Sequence, residues 1–171
     1  HTKAADVPRP EGLSGAELPE QALGFRVQNY GLKRWVDLFT NRQLVAMATL
    51  SDLVAEVREQ IVVDSLIAGV PEGDRLEAGG FDAQAYADAV ATYLALSVSR
   101  QANRLSALNT WQSVGDKVAQ VFPRQAISMV WDYAEANPFS ESSGNLLGQI
   151  EWVAKVLGHA PSGVNGFTCQ G

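Results

Sequence analysis

The chain has 171 residues, 46% of them hydrophobic and 19% charged, with a mean hydropathy of -0.05, a balance that fits a globular protein with one core and excludes a disordered or fibrous chain. Thirteen Lys and Arg stand against 19 Asp and Glu, a net charge of -6, which repels a polyanion unless the cations gather on one face. The single cysteine, Cys169, excludes an internal disulfide and a cysteine-cluster zinc site, and no charge-free stretch approaches the ~20 apolar residues of a membrane span.

A reducing, cytoplasmic location without a membrane partner is therefore expected. The start at His1, with no basic region followed by an apolar run, suggests an excised start and no signal peptide. Residues 1–30 read as an extended arm or linker. Pro8, Pro10 and Pro19, with Gly12 and Gly15, prevent a continuous helix. Leu23, Phe25, Val27 and Tyr30 then give residues 22–31 the alternation of a short strand.

Residues 31–158 read as a helical domain. Thr40 and Gln43 have the spacing of a capping box, so a helix is predicted to start at once. Leu50, Val54, Val57 and Ile61 form its apolar stripe opposite Asp52, Glu56 and Glu59, and Gly69 with Pro71 stops it. Its length, ~42 Å, is large against the ~15–16 Å radius of gyration of a compact chain of this size. It must bend or belong to a larger assembly. After a loop over residues 71–80, Asp82 is predicted to cap a second helix reaching about Ser106. Tyr86, Val90, Tyr93, Leu94 and Leu105 would form its stripe, and the alanines between Ala83 and Ala95 would admit a close neighbour.

A short helix is predicted over residues 113–121. Ile127, Val130, Trp131 and Ala134 predict another, ended by Asn137 and Pro138. The last spans residues 145–157, turns Leu146, Ile150, Val153 and Leu157 inward, pairs Glu151 with Lys155 and closes at Gly158. Residues 159–171 are a glycine-rich tail. The fold class is mainly α, an irregular helical bundle of about four to six helices with an extended N-terminal arm.

Phosphate-cradling glycine motifs and the serine-hydrolase elbow are absent from the sequence. His159 and Cys169 supply at most two metal ligands, so neither a metal nor a cofactor is expected in this chain. The carboxylates Asp52, Glu56 and Glu59 read as a solvated face. Arg100 and Arg104 could clamp a phosphate or serve as ion-pair partners for the many acids. Lys33, Arg34 and Arg42 flank Trp35 and Phe39, the interleaving of cations and aromatics that a nucleic-acid surface requires. Trp152 and Val156 leave the main stripe of the last helix and give it a second apolar side, for a satellite core or for docking.

The most pointed segment is WDYAEANPFS, residues 131–140, with Trp131, Asp132, Glu135, Asn137, Pro138, Phe139 and Ser140 as near-site candidates. Its Asn-Pro-Phe resembles the Asn/Asp-Pro-Pro-aromatic loop of amino-directed DNA methyltransferases, in which the Asn or Asp accepts from the target amine and the aromatic ring stacks on the flipped base. Phe139 replaces the second proline. Asn137 is also predicted to leave a helix, where Asn-Pro is a stop signal.

Four phrases in order, LPEQALGFRVQNYG (18–31), WVDLFTNRQL (35–44), YADAVATYLA (86–95) and WDYAEANPFS (131–140), resemble a family of large bacterial and archaeal adenine-specific DNA methylases. That family carries an N-terminal domain of unknown function and is associated with anti-phage systems. The likeness covers residues 18–157. It implies an internal helical segment of an S-adenosylmethionine-dependent methyltransferase that packs against the catalytic core or positions DNA for it. The family's Asp-Pro-Pro-Tyr loop would follow residues 145–171, so the chain alone, without that loop or the S-adenosylmethionine motif, is expected to be inactive and to hold no catalytic residue. Its partners would be the remainder of the methyltransferase chain and, through it, DNA. Residues 131–140 would lie nearest the catalytic centre, and Lys33, Arg34 and Arg42 would touch phosphates. Two alternatives stand beside this: a non-enzymatic helical protein-interaction module, and a small-molecule enzyme built on Arg100 and Arg104 in an interhelical pocket.

Overall fold

A computed structural model describes residues 7–20 and 24–160. Its regular elements are α1 (Asn41–Ile67), α2 (Ala83–Ala102), a hairpin of β1 (Trp111–Gln112) with β2 (Lys117–Val118), and α3 (Leu146–His159), joined by 3-10 turns at Val27–Tyr30, Trp35–Leu38 and Leu76–Ala78. The protein is mainly helical, with three α-helices among the described residues rather than four to six.

Helix α1 begins as its sequence predicts. The Thr40 hydroxyl accepts from the Gln43 amide at 3.3 Å and Gln43 Oε1 accepts from the Thr40 amide at 2.9 Å, which satisfies two orphan donors reciprocally. Its 27 residues extend ~40 Å. Leu44, Leu50 and Val62 are buried, whereas Val57, Leu66 and Ile67 stay exposed.

Helix α2 packs on α1 and carries two corrections. The Asp82 side chain does not cap it; the amides of Ala83 and Gln84 donate instead to the carbonyls of Pro71 and Glu72, both at 3.0 Å. Its buried positions are Ala83, Ala85, Ala87, Ser97, Val98 and Gln101, while Tyr86 and Tyr93 are exposed. The small residues let the two helices approach, and a tyrosine in the same interface would hold them apart. Asp88 ties α1, α2 and the intervening loop together: it accepts from Arg58 Nε at 2.7 Å, from Arg75 Nη2 at 2.9 Å and from the Leu76 amide at 3.1 Å. The Arg75 hydrogen bond foremost, then those of Arg58 and Leu76, hold its carboxyl well below the usual carboxylate range despite partial desolvation.

Two predicted helices are not helices. Residues 113–116 are the turn of the hairpin, in which Gly115 and Asp116 take positive φ values of 97° and 44° that a right-handed helix cannot include. Residues 126–137 form no regular secondary structure. The seven-residue step from Ile127 to Ala134 satisfies a helical stripe, yet Ile127 and Ala134 use their backbone groups across the fold: the Ile127 carbonyl accepts from the Arg26 amide at 2.9 Å and the Ala134 amide donates to the Asn109 carbonyl at 3.1 Å. The strand-like reading of residues 22–31 also yields, for Val27–Tyr30 is a 3-10 turn closed by Gly31 at φ 88°; Leu23 lies outside the described residues.

Helix α3 is capped by Asn145, whose Oδ1 accepts from the Gly148 amide at 2.8 Å, and it runs through Gly158 to His159. The Glu151–Lys155 pair is not formed; Lys155 Nζ lies 5.5 Å from the centre of the Trp152 ring. No helix among the described residues is long and apolar enough to cross a membrane.

The largest buried cluster lies beside the helices rather than between them. Leu18, Val27, Leu38, Leu108 and Ile127 meet there, so residues of the supposed arm belong to the body. Asp37 pins this corner by accepting from the Arg34 amide at 2.9 Å, Arg34 Nη2 at 3.0 Å and Arg9 Nη2 at 3.3 Å. Burial pushes its carboxyl up, but the bonds from Arg34 and Arg9 together overcome this and lower it to about 2. A depressed folded-state value contributes stability that is complete above the ordinary 3.8 and lost as pH falls through about 2. An acid titration followed by tryptophan fluorescence should show this limb in the native chain and a flatter one in Asp37→Asn.

Candidate functional site

The first turns of α1 face the irregular segment that ends in Asn137, Pro138 and Phe139, and between them lies a cleft of about 300 Å³. Arg42, Gln43 and Ala46 line one side, Glu135 to Phe139 the other, and Leu105 closes the wall between. Arg42 and the 131–140 segment, separate candidates in the sequence, thus share one site. The Arg42 guanidinium pairs with the Glu135 carboxylate and donates to the Tyr133 hydroxyl at 3.4 Å. The nearby Glu135 charge raises the Arg42 pKa further, and burial, followed by Glu135, pushes the Tyr133 hydroxyl up.

The other candidates are dispersed. Lys33 and Arg34 sit at the Asp37 corner, where Arg34 is paired. Trp131 stands edge-on to Tyr30, with ring centres 5.2 Å apart, and remains 77% exposed. Asp132 accepts from the Trp111 amide at 3.2 Å and so holds the hairpin to the 126–137 segment. Asn137 Oδ1 accepts from the Phe139 amide at 3.0 Å, and its carbonyl accepts from the Ser140 hydroxyl at 2.9 Å, a local turn built by the motif itself. Asn137 follows a segment without regular secondary structure, not the predicted helix.

Gln43 has a second role that the capping pattern hid. It is 1% exposed, and because Oε1 is fixed as the acceptor of the Thr40 amide, Nε2 is the atom left without a partner. Nothing in the spacing distinguishes a cap that also lines a cleft. Leu105 and Ala46 likewise become site residues only through the chain's return at 135–139.

Arg100 and Arg104 line a second cavity beside the start of α3 and have no carboxylate within ion-pair distance among the described residues. Asp52, Glu56 and Glu59 are exposed, and Glu59 pairs with Arg58 at 2.6 Å. No group of three or more His, Cys, Asp or Glu among the described residues is placed to hold a metal. The Arg42–Glu135 cleft is lined by an ion pair, by Gln43, whose buried Nε2 has no partner, and by Phe139. No family model, curated protein or solved structure matches the chain.

Proposed function

We propose that the chain is a helical accessory segment of an S-adenosylmethionine-dependent adenine-specific DNA methyltransferase. It packs against the catalytic part and turns residues 131–140 toward it, in the cytoplasm, with the cofactor held by the rest of that protein. The sequence likeness supplies the class, and the exposed surface supports the docking role. Trp131 and Phe139, large apolar side chains of the 131–140 segment, are 77% and 79% exposed, surface that a partner would cover.

Two measurements test the reading. Calorimetry of the chain with S-adenosylmethionine should show no binding, and tight binding would overturn the assignment of the cofactor to another part of the protein. DNA binding by the chain should be weak and fall with salt. Within the basic cluster, Arg34 and Arg42 are already paired with Asp37 and Glu135, and Lys33 has no ion pair among the described residues. Lys33→Gln should therefore reduce the salt slope by about 1, and salt-independent binding would remove the phosphate contacts.

A non-enzymatic interaction module is favoured by a different observation. Trp152 and Val156 of α3 are exposed and, with Tyr93 and Leu96 of α2, line an apolar groove of about 200 Å³. Loss of partner binding on Trp152→Ala, with Trp131→Ser neutral, would favour this second reading.

A further inference from the structure

Five arginines among the described residues, Arg9, Arg34, Arg42, Arg58 and Arg75, lie within ion-pair distance of a carboxylate. Arg100, in the last turn of α2, and Arg104, just past its end, do not, although acids outnumber cations in this chain. Each is instead held by one neutral acceptor. Arg100 Nε donates to Gln149 Oε1 at 2.9 Å, and its guanidinium lies 5.7 Å from the centre of the Trp152 ring. Arg104 Nη1 donates to the Val118 carbonyl. Both side chains are thereby positioned and keep further N–H donors for a ligand.

The two line a cavity of about 390 Å³ whose other walls are residues 141–145 and the first turn of α3. Burial first, then the charge of Arg100, lowers the Arg104 pKa, as expected where a negative partner is missing. Glu141 and Glu151 also line the cavity, but both are exposed and neither comes within ion-pair distance of either guanidinium. The positive end of the α3 dipole adds to the field.

We propose that this cavity binds the terminal phosphate of a small phosphate monoester, with Arg100 and Arg104 as fork donors to its oxygens. The concave shape suits a terminal group, and the volume leaves room for a small body beside Trp152. The backbone of a nucleic-acid duplex presents its diester on a convex surface and does not enter such a cavity.

The test is titration of the full chain with inorganic phosphate and with phenyl phosphate, at ionic strength held constant with chloride, observed through the Nε–H signals of Arg100 and Arg104. Saturating shifts at both are expected, with phenyl phosphate the tighter ligand. Arg100→Gln and Arg104→Gln should each weaken binding about ten- to a hundredfold. Arg104→Lys, which keeps the charge but not the fork, should fall between, and Arg124→Gln, at an exposed arginine that does not line the cavity, should leave the affinity unchanged. Shifts no larger than chloride gives, wild-type affinity in both Gln variants, or binding of a short DNA duplex at these arginines that phosphate monoester fails to compete would each overturn the proposal.

Discussion

Asn109→Ala is expected to lower the stability of the chain by about 2–5 kcal/mol, because it leaves the buried Ser106 amide and the partly buried Ala119 carbonyl without their side-chain partner. Asn109 is 1% exposed. Its Oδ1 accepts from the Ser106 amide at 2.6 Å, and its Nδ2 donates to the carbonyls of Ala119 at 2.6 Å and Asn103 at 3.1 Å. One side chain thus closes the turn after α2 and binds the strand that leaves the hairpin, while its own carbonyl receives the Ala134 amide at 3.1 Å. Asn103 keeps a second donor in the Val121 amide, so the main losses fall on Ser106 and Ala119. Urea unfolding should show the midpoint move with the slope unchanged. Asn109→Asp separates the two ends of the amide. It keeps the acceptor for Ser106 but turns a carboxylate oxygen toward two carbonyls, which favours the protonated acid and raises its folded-state pKa. Relative to the native chain, the variant should then be least destabilised at low pH, and its deficit should grow as pH rises above the unfolded carboxylate value. A pH-independent penalty would place the loss in packing instead.

What could be read from the sequence was local. The Thr40–Gln43 box needs only three residues' spacing to work and forms as expected, and the last helix starts where its pattern placed it, next to Asn145. The alanines of α2 did announce a close helix contact, but two members of its predicted stripe, Tyr86 and Tyr93, face outward. Failures occurred where distant partners take over the backbone. Residues 127–134 carry a helical pattern of apolar side chains, yet the Ile127 carbonyl and the Ala134 amide are engaged by Arg26 and Asn109, and an apolar period says nothing about that competition. The hairpin turn at Gly115 and Asp116 was hidden because only one of its two positive-φ residues is glycine. The candidate cleft was half legible. Glu135 to Phe139 stood out as a phrase and Arg42 as a cation, but their union spans 93 positions, and Gln43 looked fully used as a cap.

Leu105→Ala tests how far that cleft depends on the core behind it. Leu105 is 2% exposed and lies past the end of α2, where its amide still donates to the Gln101 carbonyl at 3.2 Å. The side chain is both a core residue and the wall between Arg42 and Pro138. Truncation should cost about 2–5 kcal/mol, the lower end if Ala46 and Ala136 close in and the upper end if they stay put. For a chain of this size each kcal/mol lowers the thermal midpoint by roughly 2–4 °C. Leu105→Met, which conserves volume, should cost less than about 1.5 kcal/mol, and Ile67→Ala, at 80% exposure, should stay within about 0.5 kcal/mol of the native chain. The cleft adds a second readout. A rigid wall leaves an enlarged apolar cavity that takes up a small hydrophobic probe such as benzene, stabilising the variant and not the native chain. Collapse of the wall would instead give the smaller penalty, no benzene effect and a perturbed Arg42–Glu135 pair, because the helix turn that carries Arg42 would have moved toward residues 135–139.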